Sequence, residues 1–505
     1  MKKLLFIAGV LCAPIVFAQD ISDALRYSQD NIQGSARYRA LSGAFGALGG
    51  DVSAMSINPA GSAIFNTSHI SLTLSYANLK NKTSYFNGLD NSSSSVIDLN
   101  QTGAVFVFDN RNPNAVMKKF TLGVAYDKLK DYDDDWFANG VNTNNSIDSY
   151  FLDYANGLRL DEISALPGES YSDAYAEIGS LYGYSNQQAY LGYESYILEP
   201  ASGNNDNTVY GSNIGNGDYY HEYSYAATGY NGKFTINTAT QIGDKFYLGV
   251  NLNSHFINYE RFTNLYETNA NSGTVSQVNF GNNLITTGSG FSFQIGGIMK
   301  VTEGLRAGLT YNSPTWYSID EEGSQYISTI RDDSGSNVSQ IINPQTINIF
   351  PNYKLTNPGK FTGSLAYIFG NHGLISFDYS IKDYSNTKFR PKSDEYFSRQ
   401  NAIIQNSLTT ASTYKIGGEY RFRQLSFRAG YRFEESPYKN ETNIGELKGY
   451  SLGLGYSFGS LVKLDLTFDQ FQREDANSLY SVGLTDAAFV DNKTSNVSLS
   501  LSFNL

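Results

Sequence analysis

From about position 69 to the C-terminus the chain repeats one pattern: apolar or aromatic side chains on every second residue, in short runs separated by clusters of Asn, Gly, Asp and Ser. A period of two puts one face of a β-strand in an apolar medium and the other among polar groups. The runs begin with Ile70-Leu72-Leu74-Tyr76, Ala104-Phe106-Phe108, Phe120-Leu122-Val124-Tyr126, a less regular stretch from Tyr225 to Ile242, and Phe246-Leu248-Val250-Leu252. Next come Phe291-Phe293-Ile295, Leu305-Ala307-Leu309-Tyr311, Phe361-Gly363-Leu365-Tyr367 and Ile375-Phe377-Tyr379-Ile381. The last five are Tyr414 to Tyr420, Leu425 to Phe433, Tyr450 to Phe458, Val462 to Phe468 and Val497 to Phe503. The pattern predicts fourteen strands.

Alternation alone also fits a soluble sandwich, whose outer face is polar. Three features favour a transmembrane barrel. Tyr and Phe gather near the ends of the runs, as in the aromatic girdles of outer-membrane barrels. Connections after odd-numbered runs are long (about 128 to 222 and 312 to 358) and those after even-numbered runs short (Gly370 to Gly373, Arg423-Gln424). The count is even, so the first and last strands can close antiparallel. The predicted fold is therefore all-β: a 14-stranded antiparallel transmembrane β-barrel, residues 69–505, with 128–222 as an extracellular cap loop. Within that loop, helix-like spacing at Phe151-Leu152-Tyr154-Ala155-Leu158 and Ala174-Tyr175-Ile178-Leu181 predicts short amphipathic helices over the barrel mouth. These either present an apolar groove or simply protect the barrel.

The N-terminus reads differently. Lys2-Lys3, the apolar run Leu4 to Leu11 and Val16-Phe17-Ala18 have the pattern of a secretory signal peptide over residues 1–18. The one cysteine, Cys12, would leave with it, so the exported chain must rely on its core and its hydrogen-bonded sheet. Residues 19–68 are rich in small residues without a period of two. Leu41, Phe45, Leu48, Met55 and Ile57 would be left in water if this stretch were a free tail, so a plug inside the barrel is predicted. Net charge is −12 before loss of Lys2 and Lys3, which argues against nucleic-acid binding. His69, His221, His255 and His372 lack metal-binding spacing, and Trp136 interrupts the calcium-loop resemblance of Asp131 to Asp135. No metal, cofactor or catalytic residue is predicted. Ser254-His255 would point to opposite faces of a strand.

Ala36 to Asp51 reads Ala-Arg-x-x-Ala-x-x-Gly-Ala-x-Gly-Ala-x-Gly-Gly-Asp and leads to Ala54-Met55-Ser56-Ile57-Asn58-Pro59-Ala60-Gly61. This resembles the N-terminal hatch of the FadL family of outer-membrane transporters for long-chain fatty acids and hydrophobic compounds. Gly308-Leu309-Thr310-Tyr311-Asn312-Ser313-Pro314, Tyr414 to Tyr420 and Arg428-Ala429-Gly430-Tyr431 extend the resemblance to the C-terminus. It implies a hatch motif at Gly43, Gly46, Gly49, Gly50, Asp51, Asn58, Pro59, Ala60 and Gly61. It also implies passive uptake: a ligand adsorbs at extracellular loops, enters a luminal pocket, and leaves by hatch movement or where one strand is kinked.

By parity, Arg306, Lys415, Arg421, Arg428, Arg432 and Lys463 face inward with Asp378, Glu419 and Asp465. Such cations would either hold a ligand carboxylate or pair with neighbouring acids and with Arg37, Arg39 and Asp51 of the hatch. Phe45, Leu48, Arg306, Lys415, Arg428 and Arg432 are the candidate ligand-binding residues. Expected partners are outer-membrane lipids, lipopolysaccharide and a hydrophobic small molecule, with a monomeric barrel in the bacterial outer membrane. A carrier in surface-protein secretion or assembly is the alternative.

Overall fold

A computed structural model describes residues 20–29, 31–112 and 114–505. The signal-peptide reading lies outside the described residues. Fourteen strands close into one antiparallel ring. They are β1 (His69–Tyr85), β2 (Gly88–Asp109), β3 (Met117–Asp131, continued as Asp134–Asn142), β4 (Tyr219–Ile242), β5 (Phe246–Thr268) and β6 (Val275–Lys300). β7 is Leu305–Asn312 continued as Thr315–Asp333, and β8 is Ser336–Ile342, Asn348–Asn357 and Lys360–Ile368 in succession. β9 (Gly373–Asp383, then Lys388–Arg390), β10 (Thr410–Phe422), β11 (Leu425–Glu434), β12 (Leu447–Phe458), β13 (Val462–Ser478) and β14 (Ala487–Asn504) complete it. β1 pairs with β14 from His69↔Asn504 to Ser84↔Phe489, so no free edge is left at the closure.

The ring is apolar outside and polar inside, as the parity requires. Along β1 and β14, Ile70, Leu72, Leu74, Leu499 and Leu501 are exposed while Ser71, Thr73, Ser498 and Ser500 are buried. Ile236 is 63 % exposed and Leu452 56 %, whereas the inward Asp378 is 1 % exposed. An isolated Leu on a surface means little, but a continuous belt of them around a ring is a surface made for hydrocarbon. Among the described residues no helix is long and apolar enough to cross a membrane, so the crossing is made by strands.

Several strands run far beyond that belt. β4, β5 and β6 have 24, 23 and 26 residues. A rise of roughly 3.3 Å per residue makes them much longer than the roughly 25 Å apolar band of such barrels. Two connections therefore differ from the expected loops. Most of 312–358 is strand, with only Ser334 and Gly335 at the turn between β7 and β8, and 128–142 is still strand, so the true connection between β3 and β4 is 143–218.

That connection holds α4 (Asp148–Ala155), α5 (Tyr171–Tyr182) and α6 (Tyr184–Glu194). Their apolar residues do not form an open groove. Phe151, Tyr175, Tyr190 and Leu191 are buried in one core with Leu265, Val278, Phe280, Ile327 and Ile342 of the projecting strands. A buried carboxylate pins the start of this cap to the strands. Glu267 accepts from Ser146 Oγ (2.6 Å) and the Ile147 N–H (2.8 Å), and meets His221 Nε2 at 2.8 Å. Tyr85 OH lies 3.0 Å from the other ring nitrogen of His221. Glu267→Leu would leave these groups buried without an acceptor, at a cost of about 3 kcal/mol. We expect limited proteolysis to cut 143–218 at lower protease concentration in E267L while the barrel keeps its heat-modifiable gel mobility. An unchanged cleavage pattern would show that the apolar core alone holds the cap.

Candidate functional site

The interior has two parts, set by where the N-terminal segment packs. That segment carries α1 (Ile21–Arg26), α2 (Ala36–Ala40), α3 (Ala54–Ile57) and a 3₁₀ turn at Pro59–Ile64. Residues 34–63 lie almost entirely buried against the inward faces of the strands. Asp378 of β9 accepts from the N–H groups of Phe45 (2.9 Å) and Gly46 (3.0 Å). Arg39 forks onto Asp469 of β13 at 2.8 and 3.0 Å, and Arg37 reaches Glu419 of β10 at 3.0 Å. Glu419 also receives Arg428 and Arg421, and Arg428 in turn holds Asp465 at 2.6 Å.

The hatch-motif residues each have a local reason. Gly49 has φ +64°, and a Cβ there would come within 2.5 Å of the Ile64 side chain and 2.8 Å of the Gly61 carbonyl, so only glycine fits. Gly43 and Gly50 also have positive φ. The Gly50 N–H donates to the Gly61 carbonyl at 3.1 Å, closing the loop between the two halves of the motif. Asp51 accepts from Ser35 Oγ and the Ser53 N–H. Asn58 caps the Ala60 N–H with its Oδ1, and its Nδ2 donates to the carbonyls of Gly46 and Gly297 at 2.7 and 3.1 Å. Pro59 opens the 3₁₀ turn, where its missing N–H costs nothing, and its carbonyl accepts from Asn237. Ala60 packs on Ala239, Tyr247 and Ile298.

The wall is interrupted at one side, where β3 leaves it. β2 pairs with β3 from Asp109↔Lys119 only as far as Gln101↔Asp127. Beyond that point the upper part of β2 pairs with β1 alone. β3 shifts register at Lys128/Lys130, breaks at Tyr132-Asp133 and resumes behind the β1–β2 hairpin. There Asn81 Nδ2 donates to Asp134 Oδ1, and Ser92 Oγ to the Asp135 carbonyl. A window is left between Ser93–Asn100 of β2 and Lys128–Asp133 of β3. The Lys128 ammonium straddles its lower end, holding Asp98 on one side and Asp131 on the other.

Behind the window lies a cavity of about 550 Å³. Both window edges line it, with Arg26, Gln29 and Arg39 of the N-terminal segment, Tyr225 and Tyr259, and Arg473 and Asp475 of β13 across the lumen. Arg26 sits 4.5 Å over the Tyr259 ring. Trp136, which breaks the calcium-loop resemblance, stacks on Tyr225 at 5.1 Å. Among the described residues no cluster of His, Cys, Asp or Glu has a metal-holding arrangement.

Of the six candidate ligand-binding residues, none lines this cavity. Phe45 and Leu48 are packed against Tyr38 and Leu41, and the Leu48 carbonyl accepts from Arg306 Nη1 at 2.8 Å. Arg428 is neutralised by Glu419 and Asp465, and Arg432 pairs with Glu434 while stacking on Phe471. Lys415 lines a smaller cavity of about 70 Å³ that shares Gln29, Asn31 and Arg473 with the large one. The cavity residues on β3 sit in a stretch the alternation assigned to a loop. Those on β13 were within reach, because Arg473 and Asp475 continue the inward parity of Lys463 and Asp465. Across neighbouring strands, His255 Nε2 does meet Ser292 Oγ at 2.8 Å, but a Tyr317 hydroxyl faces its other nitrogen.

The family model described as outer membrane protein transport protein (OMPP1/FadL/TodX) matches residues 207–504. No curated protein matches the chain. In fold it is similar to a FadL homologue from Pseudomonas aeruginosa at 12% identity and a TM-score of 0.55, with 94% of this chain and 99% of that one covered. It is likewise similar to the Pseudomonas putida toluene transporter TodX, at 14% identity and a TM-score of 0.52, with 94% and 99% covered. Matched over more than half of its length, the chain belongs to the OMPP1/FadL/TodX family: it is a transport channel of the bacterial outer membrane and not an enzyme.

Proposed function

We propose that this channel admits long-chain fatty acids or similar hydrophobic molecules passively, and that they pass between the luminal cavity and the outer leaflet through the window between β2 and β3. The cap rim faces the cell exterior, and the N-terminal segment is the hatch that closes the periplasmic end. The cavity behind the interrupted wall carries this reading. The window begins at the level of Leu99 and Ile97, which are exposed on the lipid side next to the aromatic group Tyr126, Phe234 and Phe256. A molecule leaving there meets hydrocarbon at once, with no aqueous step. The ion pairs and hydrogen bonds that hold the N-terminal segment favour a hatch that stays in place over one that withdraws. In this reading Arg428 and Arg432 position the hatch and wall, and Lys415 stands at the inner end of the polar path. The ring closes within one chain, which suits a monomer surrounded by outer-membrane lipid and lipopolysaccharide. A carrier for exported proteins has no use for an open cavity behind a gap in the wall, so the transport reading is preferred.

Cys12 is the one cysteine and falls in the predicted signal peptide, so a pair placed at Ser94 of β2 and Asp133 of β3, on the two edges of the window, can be joined across it with a bismaleimide. Uptake of a labelled long-chain fatty acid should fall several-fold on cross-linking S94C/D133C and stay normal in each single variant treated alike. Full uptake by a fully cross-linked population would overturn the lateral route.

A further inference from the structure

The cavity wall holds charged groups left unmatched, and they carry both signs. Lys130 points its ammonium at neutral oxygens, the Arg26 carbonyl at 3.4 Å and Gln29 Oε1 at 3.2 Å, with no carboxylate in ion-pair contact among the described residues. Arg473 reaches Glu434 at 3.5 Å through Nη2, but its Nε has no partner. Across from these cations, Asp475 Oδ1 and Asp135 Oδ1 are hidden from solvent without a donor among the described residues. All four side chains line the same 550 Å³ space behind the window.

A bound alkane or arene would strand all of these groups away from water, where unpaired donors and acceptors are costly. A carboxylate head would answer the cations and leave the aspartates facing a second negative charge. A simple ammonium would do the reverse. A head carrying both charges satisfies both sets with charge-assisted hydrogen bonds. We propose that the cavity is a chamber for the zwitterionic head of an amphiphile, whose tail runs out through the window along Leu99, Ile97 and Tyr126 into the bilayer. This rests on the lateral route proposed above and adds which head the chamber holds most tightly, a fatty acid passing the same window with a weaker hold. The level of the window agrees with it, since heads lie at the rim of the apolar belt and tails below.

The test holds the tail constant and varies the head. The purified full-length barrel, in a nonionic polyoxyethylene detergent, is titrated with dodecylphosphocholine, dodecanoate, dodecyltrimethylammonium and dodecanol, and one-to-one adducts are counted by native mass spectrometry. Dodecylphosphocholine should bind at least tenfold more tightly than each of the other three. Asp475→Asn should remove most of that advantage over dodecanoate, and Lys130→Met most of the advantage over dodecyltrimethylammonium. Asp135→Asn replaces Asp475→Asn if the latter fails to give a heat-modifiable barrel. Equal or tighter binding of dodecanoate or dodecanol, or a preference unchanged by both substitutions, overturns the headgroup assignment. If the S94C/D133C cross-link still blocks uptake in that case, the lateral route survives without it. If the cross-link is also silent, both fall.

Discussion

Barrels carrying Glu419→Ala should lose about 3 to 5 kcal/mol of stability, the cost of breaking a buried ionic group by removing one partner. Glu419 is 5 % exposed and is the shared acceptor for Arg37, Arg421 and Arg428. Its removal leaves Arg37 without the barrel partner that ties α2 to β10, and leaves Arg428 with Asp465 alone. The deletion therefore acts on the wall and on the N-terminal segment at once. Urea unfolding of the reconstituted barrel should shift to a lower midpoint with little change in slope, and protease should cut within residues 34–65 before the strands. Arg399→Ala is the matched control. Its pair with Glu395 stands in solvent on α7 (Glu395–Ser407), with side chains 62% and 86% exposed, and its loss should change nothing measurable. If E419A matches R399A, the cluster is a by-product of inward parity and not an anchor.

The second large effect concerns close contacts made at inward glycines, most of them with backbone. A Cβ built on Gly249 of β5 would lie 2.4 Å from the Pro59 carbonyl carbon and 2.5 Å from the Ala60 nitrogen. Gly308 stands 2.4 Å from the Gly46 carbonyl oxygen in the same sense, and Gly417, Gly430 and Gly453 meet residues 40–42. These inward glycines let the wall accept the backbone of the N-terminal segment directly. Because the clashing atoms at Gly249 are backbone, no rotamer change relieves them, and Gly249→Leu must displace the Asn58 to Gly61 turn. Overpacking of this kind costs roughly 1 to 3 kcal/mol or more, and in the hatch proposed above the displaced turn would be part of the seal. We expect G249L to assemble but leak, with faster entry of small hydrophilic solutes into proteoliposomes. Gly363→Leu is the control, since a Cβ there meets nothing within 4 Å and points toward lipid. Equal leakage from G249L and G363L would refute a sealing role.

Within the belt the sequence was almost completely legible. Leu452, Leu454 and Tyr456 are exposed where alternation puts them outward, and Arg428, Arg432, Glu419, Asp465 and Asp378 are buried where it puts them inward. Hydrocarbon on one side and a polar interior on the other impose a strict period of two. Above the belt that constraint lapses. Thr315–Asp333 meets water on its outer face, so Asp320, Glu322 and Ser324 can stand where a lipid-facing strand would need Leu, and the strand read as loop. The cap helices were visible from their spacing, but which surface their apolar faces would cover was not, because the covering residues lie on many strands, most of them remote in sequence.

The amino-acid sequence determined the ring, its inside and outside, the glycine-rich turn geometry of Gly43 to Gly61 and the charges that point inward, because each of these follows from local backbone preference or from period alone. Only the tertiary structure decided which inward charges cancel and which stay unmatched. Among the described residues Arg428 finds two carboxylates and Lys130 none in ion-pair contact, although both are inward cations on strands, since pairing depends on which strands face one another across a closed ring. It also decided where the wall opens. A strand that leaves its neighbour at Asp127 carries no period change to mark the spot, and the window exists because the hydrogen-bond ladder stops there while the chain continues behind it.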